Sequence, residues 1–210
     1  MSGAATKNCN YMWIIGSRLH KVQAALHAPH THEPMAHVVR QAFRNRNYIL
    51  LHLGFATCGF HVAFLATHLP NEIALCGLPV SVASTSLAIV GIANLVGSLM
   101  VGWCVGRWRN KSILAVLYAV RVVLIAAYLF MPRTDVNFYI FAAGLGLTWL
   151  ATVPPTAALT GRLFGTRYLA TLFGLTLLSH QIGGFFGAYL GGKAIMAFND
   201  YGWMWHADLV

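Results

Sequence analysis

Arg121 stands out first in this sequence, because no opposite charge accompanies it. It sits near the middle of Ser112–Met131, a twenty-residue stretch in which it is the only charge. As a helix, that stretch spans roughly 30 Å, the thickness of a bilayer's hydrocarbon core. A guanidinium at that depth costs about 3 kcal/mol on insertion scales. It therefore faces a bundle interior, where such residues mark a pathway or a counter-ion site. Helical spacing sets Tyr118, Ile125 and Tyr128 on the same face. Two phenols beside a guanidinium make a seam suited to gripping a carboxylate in bidentate geometry. An arginine tied to backbone carbonyls or to a partner helix is the other reading. No Asp or Glu falls inside the apolar runs, so no intramembrane salt bridge is expected within the chain.

Histidines supply the second candidate chemistry. Gly54, Thr57, His61 and His68 follow one another at i, i+3, i+7 and i+14, which is one helical stripe. His61 falls near mid-membrane, where a neutral imidazole needs a hydrogen-bond partner. It is either a structural link between helices, worth about 0.6 kcal/mol, or a substrate or proton site, since histidine titrates near neutrality. His180 and Gln181 stand at similar depth in a later run, just before Gly183, Gly187 and Gly191. Gly184, Ala188 and Gly192 repeat the same period one position on. Such stripes of small residues let helices approach closely, and predict tight packing that can slide or rock.

These side chains need spans to hold them, and five apolar runs provide them: about 48–69, 80–103, 112–131, 138–160 and 169–194. Short loops join them, as between antiparallel neighbours in a bundle. Trp149, Thr152, Pro154 and Pro155 are expected to break the fourth span toward one end, because proline removes an amide donor and clashes with the preceding turn. After Asn199, two tryptophans and an apolar stretch open what reads as a truncated sixth span. The fold class is thus all-α: a polytopic membrane bundle over residues 48–210, preceded by a mostly flexible polar segment, 1–47.

Composition agrees. The chain is 58% hydrophobic and 9% charged, with a mean hydropathy of +0.63, against about 25% charged residues in a soluble domain. A net charge of +9 would suggest nucleic acid in a soluble chain. Here most basic residues gather at alternate ends of successive spans: six before the first, then Arg107, Arg109 and Lys111 in one loop, then Arg162 and Arg167. That is the positive-inside pattern, with a cytoplasmic N-terminus and no nucleic-acid partner. Cys9, Cys58, Cys76 and Cys104 have no metal-ligand spacing. His27, His30, His32 and His37 with Glu33 form a loose histidine tract, read here as a loop interrupted by Pro29 and Pro34. The tract lacks the several histidine boxes of a membrane di-iron oxidase. Ser98 lacks the surroundings of a rhomboid-type serine. No enzyme and no cofactor is expected.

Several segments together resemble the major facilitator superfamily, in particular the C-terminal half of bacterial monocarboxylate and oxalate/formate-type carriers. They are Gly54–Pro70, Gly91-Ile-Ala-Asn94, Trp149-Leu-Ala-Thr-Val-Pro-Pro155 and Ser179-His-Gln-Ile-Gly-Gly-Phe-Phe-Gly187. The family's signature loop, G-x-x-x-D-R-x-G-R-K, fits at Gly102, Arg107 and Lys111, while Gly106 stands where the acid would be. The resemblance covers residues 38–210. It implies spans seven to eleven of a twelve-helix carrier in the inner membrane, with substrate held at mid-depth between two halves. On that reading, Arg121 pairs with a small organic anion, and His61, His180, Gln181 and Tyr118 line its path. The partners are the lipid bilayer and a separate N-terminal half or a second copy. An inserted but inactive fragment is the alternative.

Overall fold

The computed structural model describes residues 34–208, and every regular element among them is an α-helix. They fall into two units, the first contributing only residues 34–38 and the second holding the bundle. In chain order the helices are α1 (Met35–Ala42), α2 (Arg46–Leu75), α3 (Val80–Val105), α4 (Asn110–Phe130), α5 (Asp135–Thr148), α6 (Val153–Phe164), α7 (Leu169–Phe198) and α8 (Gly202–Asp208). Counting α5–α6 as one stretch, five are long and apolar enough to cross a membrane. The fold class and the number of spans match the expectation.

Two boundaries differ from it, both at prolines. Pro34 was taken to interrupt helix formation, but α1 begins immediately after it, and the Pro34 carbonyl accepts from the amides of His37 and Val38. The fixed φ of proline suits a helix start. The first span is expected to end near Leu69, yet α2 runs through Pro70 to Leu75. The additional turn carries Glu72 into the bundle, where it is only 9% exposed. The expectation that no carboxylate enters a span fails there.

Local chemistry sets the other ends. Asn45 caps α2 by accepting from the Asn47 amide at 2.9 Å, and Thr134 caps α5 from the Asn137 amide at 3.4 Å. Both are the oxygen-bearing residues that helix starts favour. Asn199 ends α7 in the left-handed region at φ 55°, which asparagine tolerates.

Two close helix pairs organise the bundle: α2 with α7, and α3 with α5. Along the first, a Cβ on Gly183 or Gly187 would overlap the backbone carbonyls of Ala56 or Phe60, and one on Gly59 would overlap that of His180. Along the second, Gly97 abuts the Leu147 carbonyl, and Gly146 abuts Val90 and Ala93. Of the two small-residue stripes on α7, the Gly183–Gly187–Gly191 stripe is seated on α2, whereas Gly192 faces open space. The main core lies toward the end opposite the basic loops. Phe64, Ile73, Tyr128, Phe141, Leu145 and Trp205 are buried there together. One face of α3 is left bare, with Ile92, Leu95 and Leu99 each more than 60% exposed. On a soluble protein such a patch would be a liability, but in a membrane it meets lipid or another helix.

Candidate functional site

Helix α4 turns Arg121 inward, to 4% exposure, against the gap between α5 and α6. The gap explains what holds it. In an unbroken helix the Val153 amide would bond the Trp149 carbonyl, but it bonds Leu150 instead, at 3.0 Å. Pro154 and Pro155 follow and begin α6, where missing amides cost nothing. The carbonyls of Thr148 and Trp149 are therefore released at the C-terminal end of α5, where the helix dipole is negative. Arg121 Nη2 donates to both, to Trp149 at 3.2 Å. Nη1 donates to the Cys58 thiol at 3.1 Å, and Nε is buried without a partner.

Two further helices grip the same gap. Cys58 of α2 also meets the Thr152 hydroxyl at 3.5 Å. From α3, Asn94 Oδ1 accepts the Leu150 amide at 3.0 Å and lies 3.4 Å from the Ser98 hydroxyl that donates to it. Leu150 is on the exposed side of the bundle, where lipid offers its amide no other partner, so the Asn94 link matters.

The expected site residues divide into groups. Arg121 and His180 both interact with Cys58, and Tyr118 is electrostatically coupled to that thiol and that guanidinium. The Tyr118 hydroxyl donates to the Gly54 carbonyl at 2.9 Å, and His180 packs its ring 5.0 Å from that of Phe55. These three form one cluster around Cys58. His61 is buried at 2% exposure, one turn further along α2. Gln181 lies on the exposed face of α7, away from the glycine seam. The stripe through Gly54, Thr57, His61 and His68 is not a uniform lining, because Thr57 is exposed and bonds back to the Leu53 carbonyl at 3.1 Å.

His68 belongs to a separate network at the far end. Its Nε2 meets the Ala188 carbonyl at 2.9 Å and its Nδ1 the Tyr201 hydroxyl at 3.0 Å. A carbonyl only accepts, so the proton sits on Nε2 and the phenol donates to Nδ1. Tyr201 in turn accepts from Asn71 at 3.0 Å. Beside it, Tyr128 donates to Glu72 at 3.1 Å, and Arg133 lies over the Tyr128 ring with its Nη2 4.0 Å from Glu72. Burial and the Glu72 carboxylate push the neighbouring Cys76 thiol above its ordinary range.

Sequence reasoning missed two residues here. Nothing in its spacing singles out Cys58, and Asn94 has no expected role. A side-chain amide in mid-helix, among apolar residues and small hydroxyls, was the available signal for Asn94. Of the histidine tract, His27, His30, His32 and Glu33 lie outside the described residues. Among the described residues, no group of three His, Cys, Asp or Glu side chains is placed to hold a metal ion.

Comparison with known proteins fits a bundle of this kind. The family model of the Major Facilitator Superfamily matches residues 11–188. The chain belongs to that superfamily, and it is a multi-pass membrane protein. An uncharacterized MFS-type transporter of Bacillus subtilis (strain 168), YcxA, is 27% identical over 148 residues, covering 68% of this chain and 36% of its own. The uncharacterized MFS-type transporter YhjX of Escherichia coli (strain K12) is 25% identical over 150 residues, covering 70% and 37%. The chain thus spans a little over a third of the length of these curated relatives.

Proposed function

We propose that the chain is part of a secondary transporter that carries a small organic anion, such as a monocarboxylate, across the inner membrane. In this reading α2 to α7 correspond to spans seven to eleven of the carrier, with the N-terminus cytoplasmic. The substrate passes between this bundle and a separate N-terminal half or a second copy. The observation that carries the proposal is Arg121: a mid-span guanidinium, 4% exposed, with Nε unpaired and no carboxylate among its hydrogen-bond partners. A cation so placed has unspent capacity for an anion. His180 and Tyr118 flank it through Cys58. His61 and Gln181 extend the path along α2 and α7, the exposed face of Gln181 being the one left for the opposing half.

Proteoliposome uptake of labelled small carboxylates tests this, with the chain alone and with its candidate N-terminal half. Uptake is expected only from the assembled pair, and Arg121→Gln is expected to abolish it while membrane insertion persists. Normal uptake and affinity in the Arg121→Gln protein would remove the arginine from substrate binding.

A further inference from the structure

At the end of the bundle that carries the basic loops, α3 and α4 diverge around a crevice of about 440 Å³. Its floor is apolar: Val101, Ile113 and Leu117 are each 8% exposed or less. Its rim is formed by Trp103 and Trp108, which are 56% and 61% exposed and meet edge to face at 6.3 Å. Tryptophans of this kind sit at the level of lipid headgroups. The loop over the rim contributes Arg107, Arg109 and Lys111 within five residues, all exposed. Arg107 is held in place, its guanidinium 3.8 Å from the Trp103 ring and Nη1 donating to the Trp103 carbonyl at 3.3 Å. Gly106 occupies the place of an acid, so no carboxylate in Gly102–Lys111 offsets these three cations.

We infer that this crevice is a binding site for an anionic phospholipid, with one acyl chain laid between α3 and α4 and the phosphate held by Arg107 and Arg109, while Lys111, which lines the neighbouring crevice with Leu114 and Tyr118, adds only to the positive charge of the loop. The crevice opens sideways to the bilayer, so a membrane lipid reaches it without crossing water. Its floor offers no polar group for a free phosphate to use at depth. Charge separates anionic lipids from zwitterionic ones. Phosphatidylethanolamine brings its own ammonium to a loop with no acid to receive it, whereas phosphatidylglycerol brings only negative charge. Each basic residue near an anionic headgroup strengthens binding about fivefold. The inference rests on the crevice and the loop, and holds whether or not Arg121 binds substrate.

Native mass spectrometry of the full chain in mild detergent tests it, with phosphatidylglycerol and phosphatidylethanolamine of identical acyl chains added. Phosphatidylglycerol adducts are expected at a concentration at least about tenfold lower. Neutralising Arg107, Arg109 and Lys111 to glutamine should erase that preference. Val116→Trp, which fills the crevice from its exposed side, should reduce adducts of both lipids. Should the triple variant fail to purify, Arg109→Gln alone should still narrow the preference. Equal retention of the two lipids by the unaltered chain would overturn the inference. So would a preference that survives neutralisation, or a lipid-free dimer that buries Trp103 and Trp108.

Discussion

The seventh helix and the fourth span are both tightly packed, but by opposite means. α7 runs unbroken for 30 residues and reaches α2 by giving up side chains at Gly183, Gly187 and Gly191. Its helical ladder stays whole, and side chains of α2 only add bonds to it, from Tyr48 to the Leu172 carbonyl and from His68 to that of Ala188. The fourth span uses glycine at Gly144, against Leu124, and at Gly146, against α3, and then breaks its own ladder between Thr148 and Val153. The released carbonyls and the Leu150 amide are satisfied from outside, by Arg121 of α4 and Asn94 of α3, while Cys58 of α2 holds the Arg121 guanidinium and the Thr152 hydroxyl. Glycine gives proximity without polarity. A broken helix gives polarity at mid-depth, and that is where ligand chemistry becomes possible.

The comparison can be broken most strongly at the α2–α7 seam. Gly187→Leu drives a side chain into the Phe60 carbonyl, and should cost stability at or above the upper end of the ~1–3 kcal/mol typical of overpacking. Gly192→Leu, at the one position of the second stripe that faces open space, should change thermal unfolding by less than about 0.5 kcal/mol. If both variants melt alike, the assignment of the seam is wrong. At the break, Arg121→Met leaves two buried carbonyls unpaired and should cost about 2–3 kcal/mol. Arg121→Lys should recover part of that loss in the same melts, because one ammonium still donates. Asn94→Leu should cost less, about 1–2 kcal/mol, by orphaning the Leu150 amide. Hydrogen exchange at Leu150 should accelerate in that variant while the α2–α7 seam stays protected.

The smallest effect belongs to the far end. A thiol held above its ordinary range is mostly neutral at pH 8, and only the thiolate attacks maleimides. Cys76 should therefore label slowly at pH 8 and faster as pH rises beyond the usual thiol range. Glu72→Gln removes one of the two causes of the shift and should speed labelling at pH 8 by about two- to threefold. A slower rate would contradict the stated sign.

The spans were legible because twenty-residue apolar windows need no knowledge of partners. The burial of Arg121 was legible for the same reason: lipid penalises a guanidinium wherever it is not covered. The break at Trp149–Thr152, two to five residues before Pro154, followed from proline chemistry, but what fastens it did not. That depends on where Asn94 can reach Leu150, a contact across 56 residues of sequence. Proline misled at Pro34, because the same ring that stops a helix also starts one, and the end of the first span was set too early because α2 accommodates Pro70 near its last turns. The choice between the two small-residue stripes of α7 was not legible either. Both have the right spacing, and only the shape of α2 selects one. The cluster around Cys58 escaped because a thiol carries no signature until its neighbours are known.

The break has one more consequence, for how the protein enters the membrane. α5 has 14 residues and α6 has 12, lengths of about 21 Å and 18 Å, and neither alone reaches across a hydrocarbon core of about 30 Å. The fourth crossing exists only while the two rods stay end to end, and their junction is fastened by residues of α2, α3 and α4. All three are made earlier in the chain. Crossing the bilayer is here a tertiary property: the segment completes its passage by docking onto helices already in place.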